Sequence, residues 1–354
     1  MNKKTIFILL AMLVMLSCRR KVELVQEDDG FDKSKMLSSI ANNYILKRLN
    51  DFSIILNKLE VTADEFNNSP SSLTLEKVKN NWKETNRIWK ECKLYNIGEV
   101  KGTYAHLRIE TRPSNQSFIE LNIADTTPID NLYFETIGFS SKGLGAIEYL
   151  LLHDVESVVL NEFNQNRRKL YLKWAIDDMK KNLLMINNTW DQGYLTNFNN
   201  TVTPGITSSI NILVNKLVEL NEKIYQTKIG FPIGKKNGII DASKTEAPIS
   251  KESLKFIEHN LISIEQTLEL GLYSYIDYLK LKKDSKSLSS ALREQIQKLK
   301  TLITSMDNLE DSIENDYVQS EELYNEFKEL LILLKVDVIS GLNIIFVIND
   351  NDGD

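Results

Sequence analysis

The strongest constraint on the fold of this chain is the spacing of its apolar residues, which recur at steps of three or four along most of the 354-residue sequence. Such spacing places apolar side chains on one face of an amphipathic helix. The most regular stretch contains Leu254, Ile257, Leu261, Ile264, Leu268, Leu272, Tyr275 and Leu279. The sequence has 14 glycines and 6 prolines, too few for the many turns of a β-sandwich or barrel. We therefore predict an all-α protein.

Breaks in this spacing divide the chain into two sets of helices. A cluster of Asn, Asp and Gly near residue 195 has about four helices on each side, which predicts two helical bundles, 34–195 and 196–354. Irregular segments at 96–139 and 227–248 interrupt the helices, and segments of this kind are commonly functional. The chain ends in a β-branched apolar run, where a short strand is predicted near 344–348, and an acidic tail.

The N-terminus has the pattern of an export signal. Two lysines precede the apolar run from Ile6 to Leu16, and a small residue, Ser17, follows it. A charged start, a short apolar core and a small residue are typical of a secretory signal peptide. The run is too short to span a bilayer. We therefore interpret residues 1–17 as a signal peptide that directs the chain to the cell envelope.

Cys18, directly after this run, resembles the lipidated cysteine of a bacterial lipoprotein. Met15 and Leu16 stand where that pattern usually has Leu and a small residue, so a plain signal peptide cut near Ser17 is the alternative. Acyl chains on Cys18 would anchor the protein to a membrane while the folded part stays in water. Residues 18–33 then form a solvated tether, and the expected location is the envelope, on the periplasmic face or the cell surface.

The charge and cysteine content narrow the possible functions. Because 43 basic residues stand against 49 acidic ones, the formal charge is −6, whereas nucleic-acid binders usually carry a basic patch. We expect no nucleic-acid partner.

Besides Cys18 the sequence has one cysteine, Cys92, which cannot form an internal disulfide in the mature chain. It lies on an apolar stripe with Trp82 and Trp89, so we interpret it as a small buried apolar residue.

The histidines do not form a catalytic or metal-binding pattern in the sequence. Zinc enzymes usually supply three protein ligands and an open position, and no local cluster does so. His106 has helical spacing to Glu110, but the segment around them lacks a helical pattern. The sequence contains no zinc-peptidase, serine-hydrolase or phosphate-loop motif. A Ser-His-Asp triad stays open, because its members need not be close in sequence.

The segment from Ser140 to Leu151 stands out because two glycines, Gly143 and Gly145, open a helical stretch. Glycine lowers helix propensity, so close packing is one expected reason for the pair. Glu148 lies between apolar neighbours. It is either a surface side chain or a residue that faces a site.

This segment resembles the Gly-x-His-x-x-Glu motif of the imelysin-like family, which is usually followed by Tyr-Leu-Leu. The matching positions are Gly143, Gly145 and Glu148, with Tyr149–Leu151 after them. Three other stretches resemble the family in the same order along the chain: 82–89, 228–234 and 341–354. The resemblance implies a fold of two helical bundles.

The family's histidine is replaced by Gly145 in this chain, so Glu148 alone remains of the motif's His–Glu pair. Family members include insulin-cleaving metallopeptidases and envelope proteins linked to iron uptake or ligand binding. Glu148 and His106 are then the candidates for holding a metal ion. Carboxylate oxygens prefer hard cations, so iron or calcium is favoured over zinc.

From the family and the compartment we expect a ligand-binding lipoprotein in nutrient or iron acquisition, with an envelope uptake partner and a small ligand or peptide not yet identified. Gly143, Gly145 and Glu148 are its candidate binding residues. One alternative is a metallopeptidase of the imelysin type, which the lost histidine disfavours. The other is a structural or interaction lipoprotein. A zinc ligand set would identify the peptidase, and a concave polar pocket containing Glu148 would identify the ligand-binding protein.

Replacing Cys18 with alanine tests the lipid anchor. Because the acyl chains require this residue, we expect Cys18→Ala to move from the membrane fraction to the soluble fraction. Mass spectrometry of the wild-type mature N-terminus should show added acyl chains. Ser17→Ala keeps the thiol and serves as the control that stays with membranes. An unmodified wild-type N-terminus would contradict the prediction.

Overall fold

The computed structural model describes residues 29–347 and shows the all-α class that the apolar spacing predicts. The α-helices, in chain order, are α1 (Lys33–Ile40), α2 (Leu46–Asn68), α3 (Ser72–Cys92), α4 (Gly98–Gly102), α5 (Ala105–Ile109), α6 (Gln116–Ala124), α7 (Asn131–Thr136), α8 (Gly143–Leu152), α9 (Glu156–Glu162), α10 (Asn166–Thr189), α11 (Leu195–Asn200), α12 (Ser209–Lys223), α13 (Ser253–Thr267), α14 (Tyr273–Tyr278), α15 (Leu288–Thr304), α16 (Leu309–Asn315), α17 (Tyr317–Ile332) and α18 (Ile339–Gly341). Two short strands, β1 (Lys282–Lys283) and β2 (Lys286–Ser287), form an antiparallel hairpin between α14 and α15.

Several of these helices are joined or extended by a widened, π-helical turn. These turns are Ala41–Ile45 between α1 and α2, Ile224–Gly230 after α12, Leu268–Leu272 between α13 and α14, and Leu333–Val338 between α17 and α18. The link Trp190–Tyr194 between α10 and α11 is a kink instead, with non-helical φ/ψ at Gln192 and Gly193. π-helical turns frequently occur at functional sites. The turn after α12 is of this kind, because it carries a buried lysine, Lys228, into the site described below.

Helix α3 contacts the elements that carry the site. A capping box between Ser71 and Thr74 starts this helix, which satisfies backbone N–H groups that no helical carbonyl reaches. Its apolar stripe is buried, including Trp82 and Trp89. The helix packs along α2, against α13 and against α8. It therefore connects the glycine-rich helix α8 with a helix from the second half of the sequence.

In the second half of the sequence, α17 packs against both α12 and α15, and α13 packs against α15. At the predicted bundle boundary the chain bends through Gly193, whose φ is 129°. The division into two bundles at residue 195 stays a prediction.

The two predicted irregular segments contain short elements rather than long loops. Residues 96–139 include α4 to α7, and residues 227–248 contain the end of the π-helical turn after α12 and a 3₁₀ turn, Ala242–Lys244. The chain between α5 and α6 and the chain between that 3₁₀ turn and α13 both reach the site.

Residues 344–347 lack the predicted strand. Two side-chain amides on α12 bind this stretch of backbone instead. Asn211 Oδ1 accepts from the Ile345 N–H at 2.7 Å, and Asn215 Oδ1 accepts from the Val347 N–H at 2.9 Å. Both amide nitrogens donate to the Ile345 carbonyl. A carboxamide is both donor and acceptor. Asn211 and Asn215 therefore satisfy backbone groups of Ile345 and Val347 in the way that a neighbouring strand would.

Within residues 29–347, no helix combines the length and the apolar character that a bilayer span requires. The signal peptide, Cys18, most of the tether and the acidic tail lie outside the described residues and stay predictions.

Cys92 is buried, and its burial raises the pKa of the thiol well above the usual value.

Replacing Gly143 with alanine tests the start of α8. Gly143 has a φ of +61°, a left-handed conformation that favours glycine, and a Cβ there would overlap the carbonyl oxygens of Arg108 and Ile109. We expect Gly143→Ala to lower the free energy of unfolding by about 2–4 kcal/mol in urea denaturation. Gly102→Ala has no atom near its new Cβ and should change stability by less than about 1 kcal/mol. Similar losses in both variants would contradict the prediction.

Candidate functional site

Helix α8 carries the motif residues and is buried along nearly its whole length. Every residue from Gly143 to Leu151 is buried, and the Trp82 indole Nε1 donates to the Leu144 carbonyl at 2.9 Å. Glu148 is 2% exposed. Since an unpaired buried carboxylate is strongly unfavourable, the partners of Glu148 decide what it can do.

Arg112 and Ser250 occupy both carboxylate oxygens of Glu148. Arg112 Nη1 donates to Oε2, while the backbone N–H and the hydroxyl of Ser250 donate to Oε1 at 3.2 and 2.5 Å. The same guanidinium donates through Nε to Glu110 Oε1 at 2.8 Å and through Nη1 to the Glu246 carbonyl at 3.2 Å. One side chain thus joins α8, the chain after α5 and the chain before α13.

These residues belong to a buried charge cluster, which we define as Lys90, Glu110, Arg112, Glu148, Lys228 and Glu246. Lys90 is fully buried; it contacts Glu110, and its Nζ lies 2.9 Å from Glu246 Oε1. Lys228 Nζ lies 2.7 Å from Glu246 Oε2. At the edge of the cluster, Lys93 Nζ lies 3.0 Å from Glu110 Oε2. Cations and carboxylates therefore alternate through the interior, as buried charges require.

The electrostatics of the buried charge cluster keep its central carboxylates ionised. Burial alone would raise the pKa of Glu110, but the three cations around it hold that pKa well below its usual range. The pKa of Glu246 is lowered for the same reason. Burial, together with the nearby charge of Lys90, lowers the pKa of Lys228 to about 7. Glu110 and Glu246 are thus neutralised by cations of the protein itself.

Most of the buried charge cluster lines a cleft with a volume of about 800 Å³. Small-molecule sites usually occupy roughly 300–1,000 Å³. The basic residues along the cleft are Lys93, Lys101, Arg112, Lys216, Lys223, Lys228 and Lys244. The carboxylates are Glu110, Glu148, Glu219 and Glu246. The cleft is therefore electropositive, although the whole chain carries a net charge of −6.

His106 also lines the cleft. It lies on α5, a short helix that the sequence pattern does not predict. Burial and, after it, the charges of Lys93, Lys216, Lys101 and Lys223 lower the pKa of His106 to about 4. Its Nδ1 is buried, with no hydrogen-bond partner among the described residues. The imidazole is therefore neutral above about pH 5.

The residues around Glu148 do not fit a bound metal ion. Both of its oxygens already accept hydrogen bonds, and the Arg112 cation lies where a metal would have to approach. Gly145 supplies no donor, and a Cβ there would lie 3.0 Å from the Thr111 carbonyl oxygen. In the part of the chain that the structure describes, no three His, Cys, Asp or Glu side chains are grouped closely enough to hold a metal. His106 and Glu148 share the cleft without forming such a set.

Sequence reasoning missed most of the charged residues at this site. The burial of Lys90 could have been predicted from helical spacing, because Lys90 follows Trp82 and Asn86 at steps of four and so lies on the buried face of α3. Arg112 and Glu246 have no such signal, since both lie between regular elements. Their place in the site follows only from the folding of distant segments onto α8.

Two solved structures share this fold. An imelysin-like protein from Psychrobacter arcticum 273-4 has a TM-score of 0.73 at 17% identity, covering 90% of this chain and 97% of that one. A protein assigned as an iron-regulated protein A precursor from Parabacteroides distasonis ATCC 8503 has a TM-score of 0.71 at 16% identity, covering 88% and 95%. No curated protein matches. Residues 45–334 match the family described as Imelysin, and because this match spans most of the sequence, the chain belongs to the imelysin family.

Proposed function

We propose that this chain is a ligand-binding protein of the cell envelope that takes part in nutrient acquisition. The observation that carries the proposal is the cleft of about 800 Å³ beside Glu148. A structural or interaction lipoprotein would not need a polar cleft of this size. The cleft therefore favours ligand binding over the purely structural alternative.

The chemistry around Glu148 argues against peptidase activity. Metal-assisted hydrolysis needs a metal held by several ligands with an open position for water. Glu148 is paired with Arg112 and Ser250, so its carboxylate is not free to bind a metal or to take a proton from water. Its role in this proposal is to hold Arg112 in place. Arg112 in turn shapes the wall of the cleft.

Iron is the nutrient that we propose. One structural neighbour is assigned as an iron-regulated protein precursor, and a role in an iron-responsive uptake system is consistent with that assignment. Export by the signal peptide and anchoring through Cys18 would place the cleft in the envelope, next to an uptake partner. The ligand need not be a metal ion itself, because the residues around Glu148 do not fit one.

Filling the cleft tests the proposed function. We expect native mass spectrometry of the mature chain, purified from its host envelope, to show a bound small molecule. Thr227 lines the cleft, so the indole of Thr227→Trp should block binding. Thr304→Trp places the same indole on an exposed face of α15 outside the cleft and should leave binding unchanged. Chelator-sensitive cleavage of insulin or casein by the wild-type chain would instead support the peptidase.

Replacing Glu148 with glutamine tests its structural role. The substitution leaves Arg112 buried with one carboxylate fewer, and breaking such a pair is strongly unfavourable. We expect the free energy of unfolding to fall by about 3 kcal/mol. Glu294, which pairs with Lys286 on the surface, provides the control: Glu294→Gln should lose less than about 1 kcal/mol. Urea denaturation measures both, and an unchanged stability of Glu148→Gln would contradict the assignment.

A further inference from the structure

One face of α12 and its π-helical extension lines the cleft. Lys216, Leu220, Lys223 and Thr227 follow one another at steps of four, three and four residues, and all four line it. This spacing separates the two lysines by about 10 Å along the helix axis. Lys216 Nζ lies 2.6 Å from Glu219 Oε1. Within residues 29–347, by contrast, no carboxylate lies within 4.0 Å of Lys223 Nζ.

Lys93 and Lys101 line the same cleft from the chain between α3 and α5. The carboxylate partner of Lys93 is Glu110, which two other cations share. Lys101 has no ion pair with any described residue. The charge of Lys93 is the largest cause of the lowered pKa of Lys223, and the Glu246 and Glu110 carboxylates only partly offset it. Lys93, Lys101 and Lys223 line one cleft. An anion bound between these like charges would relieve their repulsion.

We propose that the cleft binds a small organic anion carrying two or more carboxylate or phosphate groups, held by Lys93, Lys101 and Lys223. This inference rests on the proposed ligand-binding function and names the class of its ligand. Anionic oxygens accept strong charge-assisted hydrogen bonds from ammonium groups. Such a ligand would supply the negative charge that Glu110 and Glu246 cannot, because the buried charge cluster has already neutralised them.

The other walls of the cleft favour an organic molecule over a bare inorganic ion. Leu94, Leu107 and Phe231 line it and can contact a carbon skeleton. Neutral His106 adds a hydrogen-bonding ring nitrogen without adding charge. A cationic ligand would be repelled by the excess of lysines along the cleft, and an uncharged one would leave the repulsion between those lysines in place.

Isothermal titration calorimetry of the mature chain tests the inference, with pyrophosphate and citrate as anionic probes and sucrose and spermidine as uncharged and cationic ones. We expect an anionic probe to bind, more weakly as salt increases. Lys223→Gln should weaken that binding about tenfold or more, whereas Lys223→Arg, which keeps the charge, should retain most of it. Lys58→Gln removes an exposed lysine of α2 outside the cleft and should bind as the wild type does.

Thermal unfolding without ligand tests whether the charge of Lys223 stabilises the fold or serves only to bind the ligand. Lys223→Gln removes the repulsion from Lys93, so its melting temperature should equal or exceed that of the wild type. A lower melting temperature would show that the Lys223 charge is structural and would overturn the inference.

The remaining outcomes of the titration also support or overturn the inference. Binding of pyrophosphate alone identifies phosphate groups and binding of citrate alone identifies carboxylates, and either result supports the inference. Failure of both probes to bind, or unchanged affinity in Lys223→Gln, overturns it. Binding of sucrose or spermidine that Thr227→Trp blocks would overturn the anion class and leave the ligand-binding function standing. Chelator-sensitive peptide cleavage would instead overturn the proposed function itself.

Discussion

The Arg112 guanidinium is the interaction on which the site depends. It donates to the Glu148 and Glu110 carboxylates and to the Glu246 carbonyl, so it joins a buried helix to two segments without long regular structure. Because the Arg112 side chain is only 9% exposed, water can replace few of these partners. A buried guanidinium needs several acceptors at fixed positions, and this need fixes the relative positions of all three segments.

The same pairing sets the charge of the cleft. Lys90, Lys228 and Arg112 neutralise the most buried carboxylates, while the exposed lysines of the cleft, Lys101, Lys223 and Lys244, keep an excess of positive charge. A protein with a net charge of −6 thus presents an electropositive cavity. Fields from like charges in a cleft are focused by its walls of low polarity. The charge of this site therefore follows from which carboxylates are already paired, and the net charge of the chain does not predict it.

The close packing at Gly145 explains how Arg112 reaches Glu148. The Thr111 carbonyl oxygen approaches the place where a Cβ at Gly145 would stand. The chain after α5 therefore lies close against α8 and brings Arg112 to Glu148. The carboxylate of Glu148 is therefore paired with a cation of the protein itself.

The sequence by itself determined the helical class and the main long helices, because the spacing of apolar residues is a local property that survives in any tertiary arrangement. It also singled out Gly143, Gly145 and Glu148, since a glycine pair before a glutamate is visible in one short segment. It did not reveal the partners of Glu148. Arg112 and Ser250 lie 36 and 102 residues away from it, between regular elements, where no periodicity indicates burial. Only the tertiary structure decided that Glu148 is paired and that Lys223 has no carboxylate partner among residues 29–347, because the pairing of a charge depends on which distant segments pack beside it.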